Sequence, residues 1–110
     1  MIETTVGVEI PNELPRNYFR NLVNSFFKIL PMRENDEQTL HVYIQSLQAE
    51  ILGCKSLLAG LDNNASIITL VSILQYLNDN EDCPIPDVKR EVFRAISMCK
   101  KLEKQYAKAV

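Results

Sequence analysis

The chain has no tryptophan, a single histidine and three glycines in 110 residues. So few glycines leave no glycine-rich phosphate loop and no GxSxG elbow, and the lone His41 cannot supply an HExxH helix. Its cysteines, Cys54, Cys83 and Cys99, are odd in number and widely spaced, with no CxxC pair, so neither a disulfide framework nor a zinc site is signalled. No stretch approaches the roughly 18 uninterrupted apolar residues of a membrane span, and the first residues lack the basic segment and apolar run of a secretory signal. These absences predict a cytoplasmic, non-enzymatic protein with no cofactor, no metal and no membrane association.

What is present first is alternation. Residues 2 to 10 read IETTVGVEI, with β-branched side chains at every even position and Glu3, Thr5, Gly7 and Glu9 between them. Period two is the pattern of a half-buried strand. No second segment alternates over five or more residues, so the arm is expected to lack a hairpin partner within the chain. Three arrangements stay open: pairing with the same arm of a second copy, addition to another protein's sheet, or an extended arm laid on the rest of the fold.

Beyond this arm, which spans residues 1–13, helical spacing takes over. Phe19, Leu22, Val23, Phe26, Phe27 and Leu30 predict an apolar face on a helix over about 14–30, with Pro15 suited to its first turn and Pro31 as its stop. Asn35, with Gln38 three residues on, predicts the N-cap of a second helix over about 36–59. That helix would bury Leu40, Tyr43, Ile44, Leu47, Ile51, Cys54 and Leu58, and Gly60 would close it in a left-handed cap. Ile67, Ile68, Leu70, Val71, Ile73, Leu74 and Leu77 predict a third helix over about 64–78 with neighbours on two sides. Asp87 is the expected N-cap of a fourth, over about 87–108, burying Val88, Val92, Ala95, Ile96, Cys99, Leu102 and Tyr106. The expected fold is all-α: a single domain, an antiparallel four-helix bundle with an extended N-terminal arm.

Catalytic chemistry finds little support. His41 shares a polar helix face with Gln45 and Gln48, with Glu37 one turn before it, which describes a solvated side chain. The loop acids Asp79, Glu81 and Asp82 invite a calcium reading, but the best EF-hand register, starting at Asn80, puts Pro84 at position 5 and Ile85 where glycine is required.

Charge is more informative. The net charge of −2 conceals twelve acids and five bases over residues 1–87, against seven bases and two acids from 88 onward. At 100° per residue, Arg90, Arg94, Lys101, Lys104 and Lys108 fall within about 80° of one another, opposite the apolar stripe of the last helix. Phe93, flanked on the wheel by Lys89 and Lys100, adds an aromatic at the stripe's edge. This face reads either as a solvated surface or as a docking surface for an acidic partner. A nucleic acid is the weaker version, because the sequence pI is about 5.4 and no helix-turn-helix is evident. A second stripe on the second helix, Val42, Ser46, Ala49, Gly53 and Ser56, is built of small residues that let another helix approach closely. It reads as a crossing within the chain, a dimer interface or an exposed face.

The functional expectation is a non-enzymatic protein–protein interaction module of adaptor, chaperone, immunity or inhibitor type. Partner contact is assigned to Arg90, Phe93, Arg94, Lys101, Lys104 and Lys108. Self-association as a homodimer is assigned to Val6, Val8, Ile10, Ser46, Ala49 and Gly53. The alternative is a regulatory or nucleic-acid-associated protein that uses the basic face of the last helix on phosphates.

Overall fold

Pro31 shapes the first helical stretch by bending it rather than ending it. In the computed structural model, which describes residues 2–3, 7, 9–11, 13–58, 61 and 64–107, α1 (Glu13–Phe27) is followed directly by α2 (Ile29–Glu34). Proline has no N–H to offer the Phe27 carbonyl one turn upstream, and its ring crowds that oxygen. The break accordingly falls at residues 27–28, while Lys28 keeps right-handed helical angles and the chain continues.

The stop that Pro31 was expected to supply comes from Asp36, whose φ of 52° is left-handed. Its amide bonds to the Arg33 carbonyl at 3.2 Å, and that of Glu37 to the Met32 carbonyl at 3.0 Å. This pair of bonds is the Schellman closure. Asn35 is therefore the C-cap of α2 and not an N-cap, and α3 (Leu40–Leu57) begins at Leu40, later than the capping-box pattern indicates. Gly60 lies outside the described residues.

The remaining helices follow the sequence more closely. At α4 (Ala65–Asp79), the Asn64 Oδ1 accepts from the amides of Ser66 and Ile67 at 2.9 and 3.2 Å, satisfying two donors that a helix start leaves unpaired. α5 (Ile85–Ala107) starts two residues before Asp87, because the amides of Asp87 and Val88 both bond to the Pro84 carbonyl, at 2.9 and 3.2 Å. Pro86 is tolerated there since first-turn amides have no helical partner.

α5 packs against α1, α2 and α4, and α3 against α4. Along α1 and α5 the contacts run in opposite chain directions: Phe19 stacks on Tyr106 with centroids 5.8 Å apart, Arg20 meets Glu103, and Phe27 meets Phe93. The expected α5 stripe, from Val88 to Tyr106, is buried throughout, and it joins Phe19, Leu22, Phe26, Ile44, Ile51 and the inner residues of α4 in one core. Two polar bonds tie elements across it. Tyr43 Oη donates to the Ser25 carbonyl at 2.7 Å, linking α3 to α1, and Arg33 Nη2 donates to the Cys83 carbonyl at 2.8 Å, linking α2 to the loop before α5. The fold is all-α, with five helical segments among the described residues because Pro31 divides the first in two.

The N-terminal arm is its own partner. β1 (Ile2–Glu3) pairs antiparallel with β2 (Glu9–Ile10), in register Ile2 with Ile10 and Glu3 with Glu9. This corrects the expectation that no hairpin partner exists within the chain. The alternating run folds in half, and Gly7, at φ 84°, supplies backbone angles that residues with a Cβ rarely adopt. Ile10 is half-buried and packs against the core. Val6 and Val8, the other arm residues assigned to self-association, lie outside the described residues.

Candidate protein-interaction surface

α5 buries one side completely, which fixes what the other side shows. Lys89, Arg90, Phe93, Arg94, Lys100, Lys101 and Lys104 all point outward and are exposed, as the wheel predicts. Lys108 lies outside the described residues. The structure divides these bases into two groups. Arg90 Nη1 donates to Asp87 Oδ1 at 3.1 Å and its Nε lies 3.5 Å from Glu91 Oε1, while Arg94 Nη1 donates to Glu91 Oε2 at 3.2 Å. Glu91 is almost fully buried and is shared by both arginines. The two arginines are thus engaged by acids on their own helix, one turn away or adjacent, and contribute less open charge than the sequence suggests. Lys28, Lys89, Lys100, Lys101 and Lys104 form no ion pair with a described residue.

Between α1 and α5 the structure adds a feature that the sequence does not reveal. Phe27, counted by spacing among the buried residues of the first helix, is 40% exposed, and Phe93 is 53% exposed. Their rings meet edge to face, centroids 6.0 Å apart and planes 83° apart. Such a pair holds two large apolar groups in one orientation at the surface. Phe26 and Phe27 are consecutive, and of the two it is Phe26 that α1 turns into the core. The α1 spacing through Phe19, Leu22 and Phe26 singles out Phe26, and the leftover aromatic was the available signal. On the α5 wheel, Phe93, Lys89 and Lys100 share the side facing α1, where Arg20 Nε also donates to Glu103 Oε1 at 2.9 Å. The surface is therefore an aromatic pair set among unpaired lysines, along a furrow between two helices.

The second assigned surface is different. Val42, Ser46, Ala49, Gly53 and Ser56 all face outward, and a Cβ placed on Gly53 meets nothing within 4 Å. Among the described residues no helix crosses there, which overturns the crossing within the chain. Leu52 and Leu57 are exposed on its flanks.

The sole histidine lies at another place. A cleft of about 320 Å³ opens where α2, α3, α4 and the loop before α5 meet, floored by Ile29, Ile44, Leu77 and Val88 and rimmed by Arg33, Asp36, Glu37, His41, Glu81 and Asp82. His41 Nδ1 donates to the Gln38 carbonyl at 3.1 Å, the local contact of a solvated side chain. Among the described residues no group of three acids, cysteines or histidines is placed to hold a metal ion.

The displaced pKa values belong to the interior. Burial pushes the Cys99 thiol up to about 12, and burial together with the charge of Glu50 pushes Cys54 up to about 11. Burial likewise raises Tyr106 to about 12, and burial with Glu50 raises Tyr18. Neutral thiols in such surroundings behave as small core groups and not as nucleophiles. Among the described residues no helix is long and apolar enough to cross a membrane.

No family model matches the chain, and no curated protein or solved structure is significantly similar to it.

Proposed function

We propose that the protein is a non-enzymatic interaction module that binds another protein through the outer face of α1 and α5. The observation that carries this reading is the edge-to-face Phe27–Phe93 pair, exposed among lysines that form no ion pair with a described residue. Aromatic side chains fixed at a surface are the groups on which binding energy concentrates, and surrounding charges set orientation and encounter rate. Arg90 and Arg94 lie at the border of this face, and Lys101 and Lys104 extend it along α5.

A photo-crosslinking phenylalanine analogue at position 93 tests the proposal in lysate of the native cell, with the same analogue at Gln45 on α3 as control. A discrete protein adduct is expected at 93 and not at 45, and it should be lost when Lys100→Glu is added. Adducts of equal yield at both positions, or an adduct removed by nuclease, would count against it.

A further inference from the structure

The chemistry of the occupant can be taken one step beyond the proposed function, on which this step rests. We infer that the furrow between α1 and α5 receives an acidic amphipathic helix from another protein, with an apolar side chain on Phe27 and Phe93 and carboxylates on the flanking lysines.

The acids of α5 are already committed: Glu103 to Arg20, and Asp87 and Glu91 to Arg90 and Arg94. On α1 the exposed Glu13 lies two turns before Arg20, at the end away from the aromatic pair. What is left along α5 is uniformly positive. Lys28 and Lys89 stand at the aromatic end, and Lys100, Lys101 and Lys104 follow along α5, all exposed and none ion-paired with a described residue. An acidic segment complements this layout, whereas a neutral or basic one does not.

The backbone of this face selects a helix. Apart from the Phe27 carbonyl, which Pro31 leaves without its donor one turn on, the face is made of regular helix whose interior amides and carbonyls pair within it, so it offers side chains almost alone. An extended peptide laid here would find one open carbonyl at most for its row of amides. A helix brings its backbone already satisfied, and meets a two-helix furrow through side chains spaced at i, i+3, i+4 and i+7. From Phe93 to Lys104 the face runs roughly 16 Å at 1.5 Å per residue, about three turns of such a partner.

Apolar geometry separates this occupant from a nucleic acid. Bases bind exposed aromatics by stacking on successive ring faces. The planes of Phe27 and Phe93 are 83° apart, so the pair forms a notch for one apolar side chain and not a platform for parallel bases.

The test is a selection of displayed random 16-residue peptides on the intact chain, with counter-selection on Phe93→Ala and affinities of the synthesised winners measured by fluorescence anisotropy. The winners should carry a net negative charge, place apolar residues at i, i+3 or i+4 and i+7, and gain helical circular dichroism on binding. Phe93→Ala and the double variant Lys100→Glu/Lys104→Glu should each weaken them at least tenfold, and affinity should fall as salt rises. Phe93 is half exposed, so its alanine variant is expected to keep the wild-type far-ultraviolet spectrum, which is recorded first. The inference is overturned by winners without acidic excess, by undiminished binding to Phe93→Ala, by an absence of winners, or by equal competition from duplex DNA of matched charge. A protein adduct at position 93 combined with neutral winners would remove this inference and leave the interaction module standing; loss of both results would remove both.

Discussion

The outward faces of α3 and α5 are alike in exposure and opposite in content. Both helices turn apolar residues inward, Ile44, Leu47 and Ile51 on one and Val92, Ala95, Cys99 and Leu102 on the other. Outward, α3 shows small uncharged residues from Val42 to Ser56 flanked by the exposed Leu52 and Leu57, and α5 shows lysines, arginines and an aromatic. The contrast separates permission from attraction. Small side chains permit close approach, but Ser46, Ala49 and Gly53 bring neither a ring to bury nor a charge to complement. The α5 face has both, and a second helix beside it makes a furrow. Amphipathic spacing fixes how each helix sits in the core without determining what its outer side is for.

The largest effects should appear where the two helices are alike. Ile51→Ala on α3 and Leu102→Ala on α5 each empty a fully buried position and should cost about 2–5 kcal/mol in urea unfolding, through lost transfer energy and the cavity left behind. A loss below 1 kcal/mol at either site would mean that its helix is not part of the common core.

Next in size is a difference in alkaline sensitivity. Cys99 on α5 and Cys54 on α3 both ionise above their ordinary value of 9.0 in the folded chain, up to about 12 and about 11. The unfolded chain releases these protons first, so the stability they contribute is complete below pH 9 and is lost as pH rises through the folded values. Each thiol can lower stability by at most about 1.4 kcal/mol per pH unit in that window. Urea midpoints should fall nearly alike for Cys99→Ala and Cys54→Ala between pH 9 and 11, and less steeply for Cys99→Ala from pH 11 to 12, because only the Cys99 window extends that far. Equal slopes above pH 11 would show that the two cysteines are desolvated alike.

Much of this was legible in the residues. The inward stripe of α5 is buried at every named position, and α4 lies within one residue of the helix drawn from its spacing, because long periodic runs and the Asn64 cap state their structure locally. Local rules failed where a choice depended on geometry further away. Pro31 breaks a hydrogen bond wherever it stands in a helix interior, but whether the chain bends or stops depends on the packing of the next turn, and here Ile29 is buried in the core. Asn35 suits either end of a helix, and the left-handed Asp36 decided which. The IETTVGVEI run pairs with itself across Gly7, which alternation alone does not signal. Half of the candidate surface was visible as the α5 bases and Phe93. The other half, Phe27, was hidden inside a hydrophobic pattern, and the neutralising role of Glu91 required knowing which rotamers the arginines adopt.

A smaller effect sharpens the α3 side of the comparison. Gly53 sits in a helix interior with space around it, so Gly53→Ala should stabilise the chain by roughly 1 kcal/mol through helix propensity alone. A destabilisation, or a change in mass by sedimentation at high protein concentration, would mean that another helix packs closely on this face and needs the missing side chain.

The smallest expected effect on stability distinguishes the two faces most directly. Ala49→Glu on α3 and Lys100→Glu on α5 each place a carboxylate on an exposed helix face, and each should change stability by no more than about 0.5 kcal/mol, the range of surface substitutions away from special features. Their consequences for association differ. On α5 the new carboxylate opposes the acidic helix proposed for this face and removes an attractive lysine, so the position-93 adduct should vanish. On α3 it disturbs nothing the chain uses, so the adduct should persist at wild-type yield. If Ala49→Glu instead abolishes the adduct, or converts a dimer to a monomer in sedimentation, the small-residue face is the working surface and the roles assigned to the two helices are reversed. If neither substitution matters, the lysines and Phe93 are merely solvated. Because both variants carry the same chemical group on equally exposed turns, only the surroundings of that group differ, and the experiment reads those surroundings directly.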